Sequence, residues 1–231
     1  MLLKDKYYPN QKINNMGLNH IDLRTIYKSI YAERFNPESH VVSELYWSFL
    51  GNYLTPSVQQ IIVFISDSWD SSLTKPKNVK GFKEAFVDFD FAKYFSLNKY
   101  GKKRMQLDAV NDGMVLIAKK EDWDINSLQD AYNNCLERDL EYKFNIGKSK
   151  SSPDRKHKIE LWCNWDIDII EVYWILYDKN GNEIKREKFI EKPSSQGIFI
   201  YYVKWKWLDN NKVLIEETYR KKEKWEIALT F

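Results

Sequence analysis

From residue 141 to the end, the sequence is a succession of strand-like segments divided by short turn-forming loops, and this pattern constrains the fold more than any other. The segments are "YKFNI", "HKIELWCNW", "IIEVYWILY", "EIKREKFI", "IFIYYVKWKW", "KVLIEETY" and "KWEIALTF", parted by "GKSKSSPDRK", "DID", "DKNG", "EKPSSQG", "LDNN" and "RKKE". A parallel crossover needs about a dozen residues or more, so strands joined by loops this short pair as antiparallel neighbours. Asn180-Gly181 is the strongest hairpin signal, because both residues tolerate the positive φ of a type I′ turn. The expectation is a meander of about six strands.

Two helices precede it. Leu107, Val110, Met114, Ile117 and Ala118 recur at three- and four-residue steps, and Lys119 and Lys120 suit the negative end of that helix dipole. A second helix is expected to start at "NSLQ", with Asn126 as cap and Gln129 reaching back, and with Leu128, Ala131, Tyr132, Cys135 and Leu136 on one face. Before residue 99 the pattern is irregular and rich in aromatics. Ile21, Ile26, Ile30 and Tyr31 stand near helical spacing, "QQIIVFISD" at 59–67 reads as a buried strand, and "EAFVDFDFAKYF" at 84–95 alternates as a half-buried one. The architecture expected is one α+β domain over 1–231: an amino-terminal wrapping region (1–98), two helices (99–140) and an antiparallel sheet (141–231).

Large apolar side chains occupy both faces of the carboxyl-terminal strands, and six of the nine tryptophans lie between 162 and 225. A sheet that is apolar on both sides needs two covers. The helices supply one, and the amino-terminal segment or another molecule supplies the other. The apolar fraction of 43% excludes disorder. With 36 basic and 33 acidic residues the net charge is only +3, which demands no polyanionic partner. The start, "MLLKDKYYPN", has no apolar stretch for a secretory signal, and runs such as "IIVFI" fall far short of the ~20 residues of a membrane helix. The expected location is the cytoplasm, with no membrane partner.

Reactive residue types concentrate in "GKSKSSPDRKHKIELWCNWDID" at 147–168. "GKSKS" lacks the second glycine of a nucleophile elbow and runs from strand into loop, so His157 and Asp154 would orient a serine only if the loop folded back on itself. Pro153-Asp154 with Glu183-Ile184-Lys185 resembles the motif of the PD-(D/E)xK nucleases in its letters. That resemblance implies a divalent metal held by Asp154 and Glu183, with Lys185 positioning the attacking water. Two strand-like segments separate the halves here, whereas in that family they sit on neighbouring strands.

Carboxylate pairs occur at Asp67/Asp70, Asp88/Asp90, Asp166/Asp168 and Glu216/Glu217, a pattern shared with the outer faces of ordinary strands. His20, His40 and His157 are far apart, Cys135 and Cys163 fall on apolar faces, and no Gly-rich phosphate loop is present, so no cofactor is expected. Nucleic-acid binding would draw on Lys204 and Lys206 interleaved with Trp205 and Trp207, on Arg220, Lys221, Lys222 and Lys224, or on "KYGKKR" at 99–104. In a strand, however, those tryptophans project to one face and the lysines to the other.

Elimination leaves a soluble, non-enzymatic protein-binding module as the expected function. Bacterial toxin-neutralising immunity proteins exemplify the kind, and the Lys- and Asn-rich usage fits a low-GC bacterial source. The expected contacts are Arg155, His157, Lys204 and Lys206. A metal-dependent nuclease-like enzyme or a nucleic-acid-binding protein is the alternative.

Overall fold

A computed structural model describes residues 17–26, 28–51, 53–69, 80–219 and 223–229. Asp70, Arg220, Lys221, Lys222 and the amino-terminal stretch lie outside the described residues. The described chain is a mixed α+β protein in two compact units, one holding 17–142 and 166–168, the other 143–165 and 169–229.

In the first unit, β1 (His20–Thr25), β2 (Gln60–Ser66) and β3 (Phe82–Asp88) form a parallel sheet in the order β1-β2-β3. A strand thus replaces the first part of the helix expected over 21–35. Ile21, Leu23 and Thr25 are buried at period two, and only α1 (Ala32–Phe35) is helical. The crossover from β1 to β2 runs through α1 and α2 (His40–Leu50), whose Val42, Leu45, Tyr46 and Trp47 are fully buried. The strand expected over 84–95 stops at Asp88. Asp90 accepts a hydrogen bond from the Lys93 amide at 2.8 Å and so caps α3 (Phe91–Ser96). Phe89 and Phe91 then join Phe35 and Tyr94 in an aromatic cluster with centroid spacings of 5.0 to 5.7 Å.

The long helix α4 (Lys99–Glu121) lies on this sheet through Leu107, Val110, Met114 and Ile117. Gly113 permits the approach, since a Cβ there would stand 2.6 Å from both Val63 methyl carbons. The next helix, α5 (Ile125–Glu137), packs against α2 and α4. Its cap is Asp124, not the expected Asn126, because Asp124 has the extended backbone a cap requires. The Asp124 carboxylate accepts from the Asn126 amide at 3.0 Å and from the Ser127 hydroxyl.

The second unit carries the antiparallel strands. β4 (Tyr142–Asn145), β6 (His157–Trp165), β7 (Ile169–Asp178) and β8 (Glu183–Pro193) pair in that order, and β5 (Lys150–Ser151) also pairs with β6. β9 (Val203–Asp209), β10 (Lys212–Glu217) and β11 (Lys224–Ala228) form a separate three-stranded sheet. The meander is therefore divided, because the first residues of "IFIYYVKWKW" belong to a 3-10 helix over Ser194–Tyr202 rather than to a strand. The β7–β8 hairpin forms where Asn180-Gly181 predicts it, but only Gly181 has positive φ (89°). Its amide bonds the Asp178 carbonyl and the Asp178 amide bonds the Asn182 carbonyl, so the connection is a type I turn with a glycine bulge, not type I′. β8 is an edge strand, exposed from Glu183 to Lys188.

The 3-10 helix is seated by Trp165. The indole donates to the buried Ser194 hydroxyl at 2.8 Å, and its ring lies on Gly197, where a Cβ would fall 1.9 Å from the ring carbon Cη2. Neither the ring nor the backbone beneath it has room to yield. Gly197→Ala should therefore cost about 1–3 kcal/mol, seen as a lower urea midpoint at unchanged slope. An unchanged midpoint would show that this contact is not tight.

Candidate functional site

The loop that enters β6 is closed by its own groups. The Ser152 amide donates to the His157 carbonyl at 2.8 Å, and the His157 amide donates to the Ser152 hydroxyl oxygen at 3.1 Å. That hydroxyl, largely buried, donates in turn to Asp154 Oδ1 at 2.7 Å. A serine occupied in this way supports a turn and is not poised as a nucleophile. The Ser152 hydroxyl and the Lys156 amide hold the Asp154 carboxyl below its usual range. Arg155 sits exposed with φ of 59°, and His157 opens β6 opposite Asp178.

Glu183 is held by Arg186 through contacts of 3.0 and 2.9 Å, while Lys185 pairs with Glu187 at 3.0 Å and lies over the Trp174 ring. Pro153-Asp154 lies in the loop before β6 and Glu183-Ile184-Lys185 on β8, and β7 stands between those two strands. Each of the three residues has a neighbour of its own, and among the described residues no group of three or more His, Cys, Asp or Glu is arranged to hold a metal ion.

The basic residues at 99–104 are matched by acids, whereas those of β9 stand on an exposed strand face. Lys204 and Lys206 are exposed on β9, opposite Glu216 and Leu214, while Trp205 is buried on the other face. In 99–104, Lys99 pairs with Asp168 at 2.8 Å, Lys102 with Glu38 at 3.0 Å, Lys103 with Asp166 at 3.0 Å and Arg104 with Asp108 at 3.0 Å. The other carboxylates read as pairs are engaged separately. Asp88 accepts from the Trp69 indole, Asp90 caps α3, and Glu216 pairs with Lys224 at 2.8 Å. Both cysteines are buried. Desolvation pushes Cys135 up to about 12 and Cys163 well above its ordinary value, which leaves neither as an available thiolate.

The fold does assemble one ionisable network that the sequence reading leaves scattered. His20, Asp22 and Arg24 alternate along β1 and so share a face, while His40 and Glu44 are one helical turn apart on α2. Buried Asp22 receives His20 Nε2 at 2.9 Å, Arg24 Nη2 at 2.7 Å and Gln60 Nε2 at 2.9 Å, and Glu44 Oε1 lies 3.7 Å from His20 Nδ1. Burial pulls the His20 imidazole down, but the Asp22 hydrogen bond and the Asp22 and Glu44 charges outweigh it, so the net shift is upward. For Asp22, burial raises the carboxyl, yet the His20 bond and the surrounding cations leave it lowered. His40 is lowered by burial and by the charges of Arg24 and His20. The two histidines are thus driven apart, a pattern that separates proton donor from acceptor in catalytic sites and here ties an edge strand to a helix.

Another chemically distinctive surface is one face of the β6-β7-β8 sheet. Ile159, Leu161, Cys163 and Trp165 of β6 are buried on the opposite face with Ile170, Val172, Trp174 and Leu176 of β7. The face in question carries Trp162, Tyr173 and Tyr177, each half-buried, with Trp162 directly across from Tyr173. Charged side chains stand between the rings. Lys158 lies over Tyr177 and pairs with Glu160 at 3.0 Å, Arg186 stands opposite Ile175, and Lys188 pairs with Glu171 at 3.0 Å and with Glu191. Burial and the neighbouring carboxylates raise both tyrosine hydroxyls, so the rings stay neutral donors. Such a surface offers flat aromatic area and oriented hydrogen bonds, with no reacting group held against another.

No protein-family model, curated protein or solved structure matches the chain.

The histidine network makes stability pH-dependent in two opposed ways. Because His20 is raised, its contribution is complete below the ordinary 6.5 and is lost as pH rises through its folded value. Because His40 is lowered, its contribution is complete above 6.5 and is lost as pH falls. NMR titration should place the two midpoints on opposite sides of 6.5, and Asp22→Asn should bring His20 below it. Coincident midpoints in the wild type would contradict this account.

Proposed function

We propose that this chain is a non-enzymatic protein-binding module that meets its partner through the β6-β7-β8 face. The observation that carries the reading is the grouping of half-buried Trp162, Tyr173 and Tyr177 with Arg186, the residue types that dominate binding hot spots. Charge on that face favours a protein over a polyanion. Lys158, Arg186 and Lys188 are balanced by Glu160, Glu171, Glu183 and Glu191, leaving few cations to neutralise phosphates. Arg155 adds an exposed cation at the end of the sheet where β6 begins. Among the described residues no helix is long and apolar enough to cross a membrane. In its specific form the proposal is toxin neutralisation in a bacterial cytoplasm, of the kind immunity proteins perform.

The test is affinity capture from the native organism, followed by measured affinities for the recovered protein. Tyr173→Ala and Arg186→Glu should each weaken binding by about 2 kcal/mol, about 30-fold. Lys204→Ala and Lys206→Ala should leave it nearly unchanged. Equal effects from all four variants would remove the face assignment. Metal-dependent cleavage of nucleic acid, lost in Asp154→Ala or Glu183→Ala, would replace the reading with the nuclease. Binding of single-stranded DNA with a steep salt dependence would replace it with a nucleic-acid partner.

A further inference from the structure

The end of α4 builds a cleft in the first unit that none of the foregoing uses. Asp122 adopts a left-handed conformation (φ 56°, ψ 44°), and both its amide and that of Trp123 bond the Ala118 carbonyl, which closes the helix and swings the chain back. Trp123 thereby meets Tyr53 edge to face, with centroids 6.3 Å apart. The Tyr53 hydroxyl donates to the Asp124 carbonyl at 2.9 Å, which fixes that corner. The cleft has a volume of about 590 Å³, and its lining includes apolar Leu50, Leu54 and Pro56 together with Asp122 and Asp124. This is within the size range of small-ligand sites.

Its chemistry is one-sided. Asp124 caps α5 and is held below the usual carboxylate range by the Ser127 hydroxyl and the Asn126 amide, so it stays charged. Asp122 is exposed. Two aromatic rings, an apolar wall and two carboxylates are the elements that receive a cation with a hydrocarbon body, through ring quadrupoles and charge together. The Leu54 side chain, 68% exposed, stands ready to cover such a body.

We propose that this cleft binds an organic ammonium carrying a short apolar chain, either a free amine or a lysine-like side chain. The probes are n-butylammonium and N-acetyl-lysine amide, with n-butanol and butyrate as neutral and anionic counterparts. The readout is the indole N–H resonance of Trp123, assigned with the Trp123→Phe variant. A saturable shift with either ammonium, at least tenfold weaker in Asp122→Asn, is the expected result. Whichever ammonium binds more tightly distinguishes a free amine from a protein's side chain. Asn tolerates the left-handed backbone at position 122, so Asp122→Asn tests charge without disturbing the fold. Absence of saturation, equal binding of butanol, or indifference to Asp122→Asn overturns the proposal. The Tyr173 and Arg186 variants do not touch this cleft, so failure here and failure of the protein-binding reading are separable.

Discussion

At Gly113 the helix α4 presses its backbone against Val63 at the centre of β2, with no room for even a methyl group between them. Because interiors pack at crystal-like density, that approach fixes the height and rotation of a 23-residue helix on a three-stranded sheet. Val110, Met114 and Ile117 are then buried, α5 and α2 can pack alongside, and the turn at Asp122–Asp124 is delivered to one place. The aromatic cluster depends on the same helix, since Gln106 donates to the Tyr94 hydroxyl and Lys102 to Glu38. Tyr94 itself donates to Glu38 at 2.7 Å, so a ring deep in the core has its one polar atom satisfied.

What could be read in the sequence is what local periodicity encodes. The antiparallel strands, the β7–β8 hairpin, the burial of Cys135 and Cys163 and the stripe of α4 all follow from spacing over a few residues. What could not be read depends on partners distant in the chain. The parallel pairing of β1, β2 and β3 leaves no short turn to announce it, and the stripe of a helix does not say which sheet it covers. The division of the meander rests on Trp165 settling over Gly197, thirty-two positions away. Phe89 and Phe91 look like a continuing strand, and only the Asp90 cap turns them into a helix start.

The same limit hid the most ionisable part of the molecule. His20-x-Asp22-x-Arg24 is a polar stripe at strand period and His40-x-x-x-Glu44 is a pair at helix period, and the two lie some fifteen residues apart in the chain. Only the packing of α2 beside β1 joins them. Conversely the densest reactive letters, at 147–157, spend their hydrogen bonds on closing a loop. Reactive residue types in one short window are therefore a poorer guide to chemistry here than matched periodicities in two separate elements.

The edge strand β8 presents Glu183, Lys185, Arg186, Glu187 and Lys188 to solvent along most of its length, and charge of this kind deters another chain from adding a strand. Backbone recognition, which tolerates almost any sequence in the added strand, is thereby closed off along that margin. Along this margin the sheet offers charged side chains, and not free backbone, to anything that approaches it.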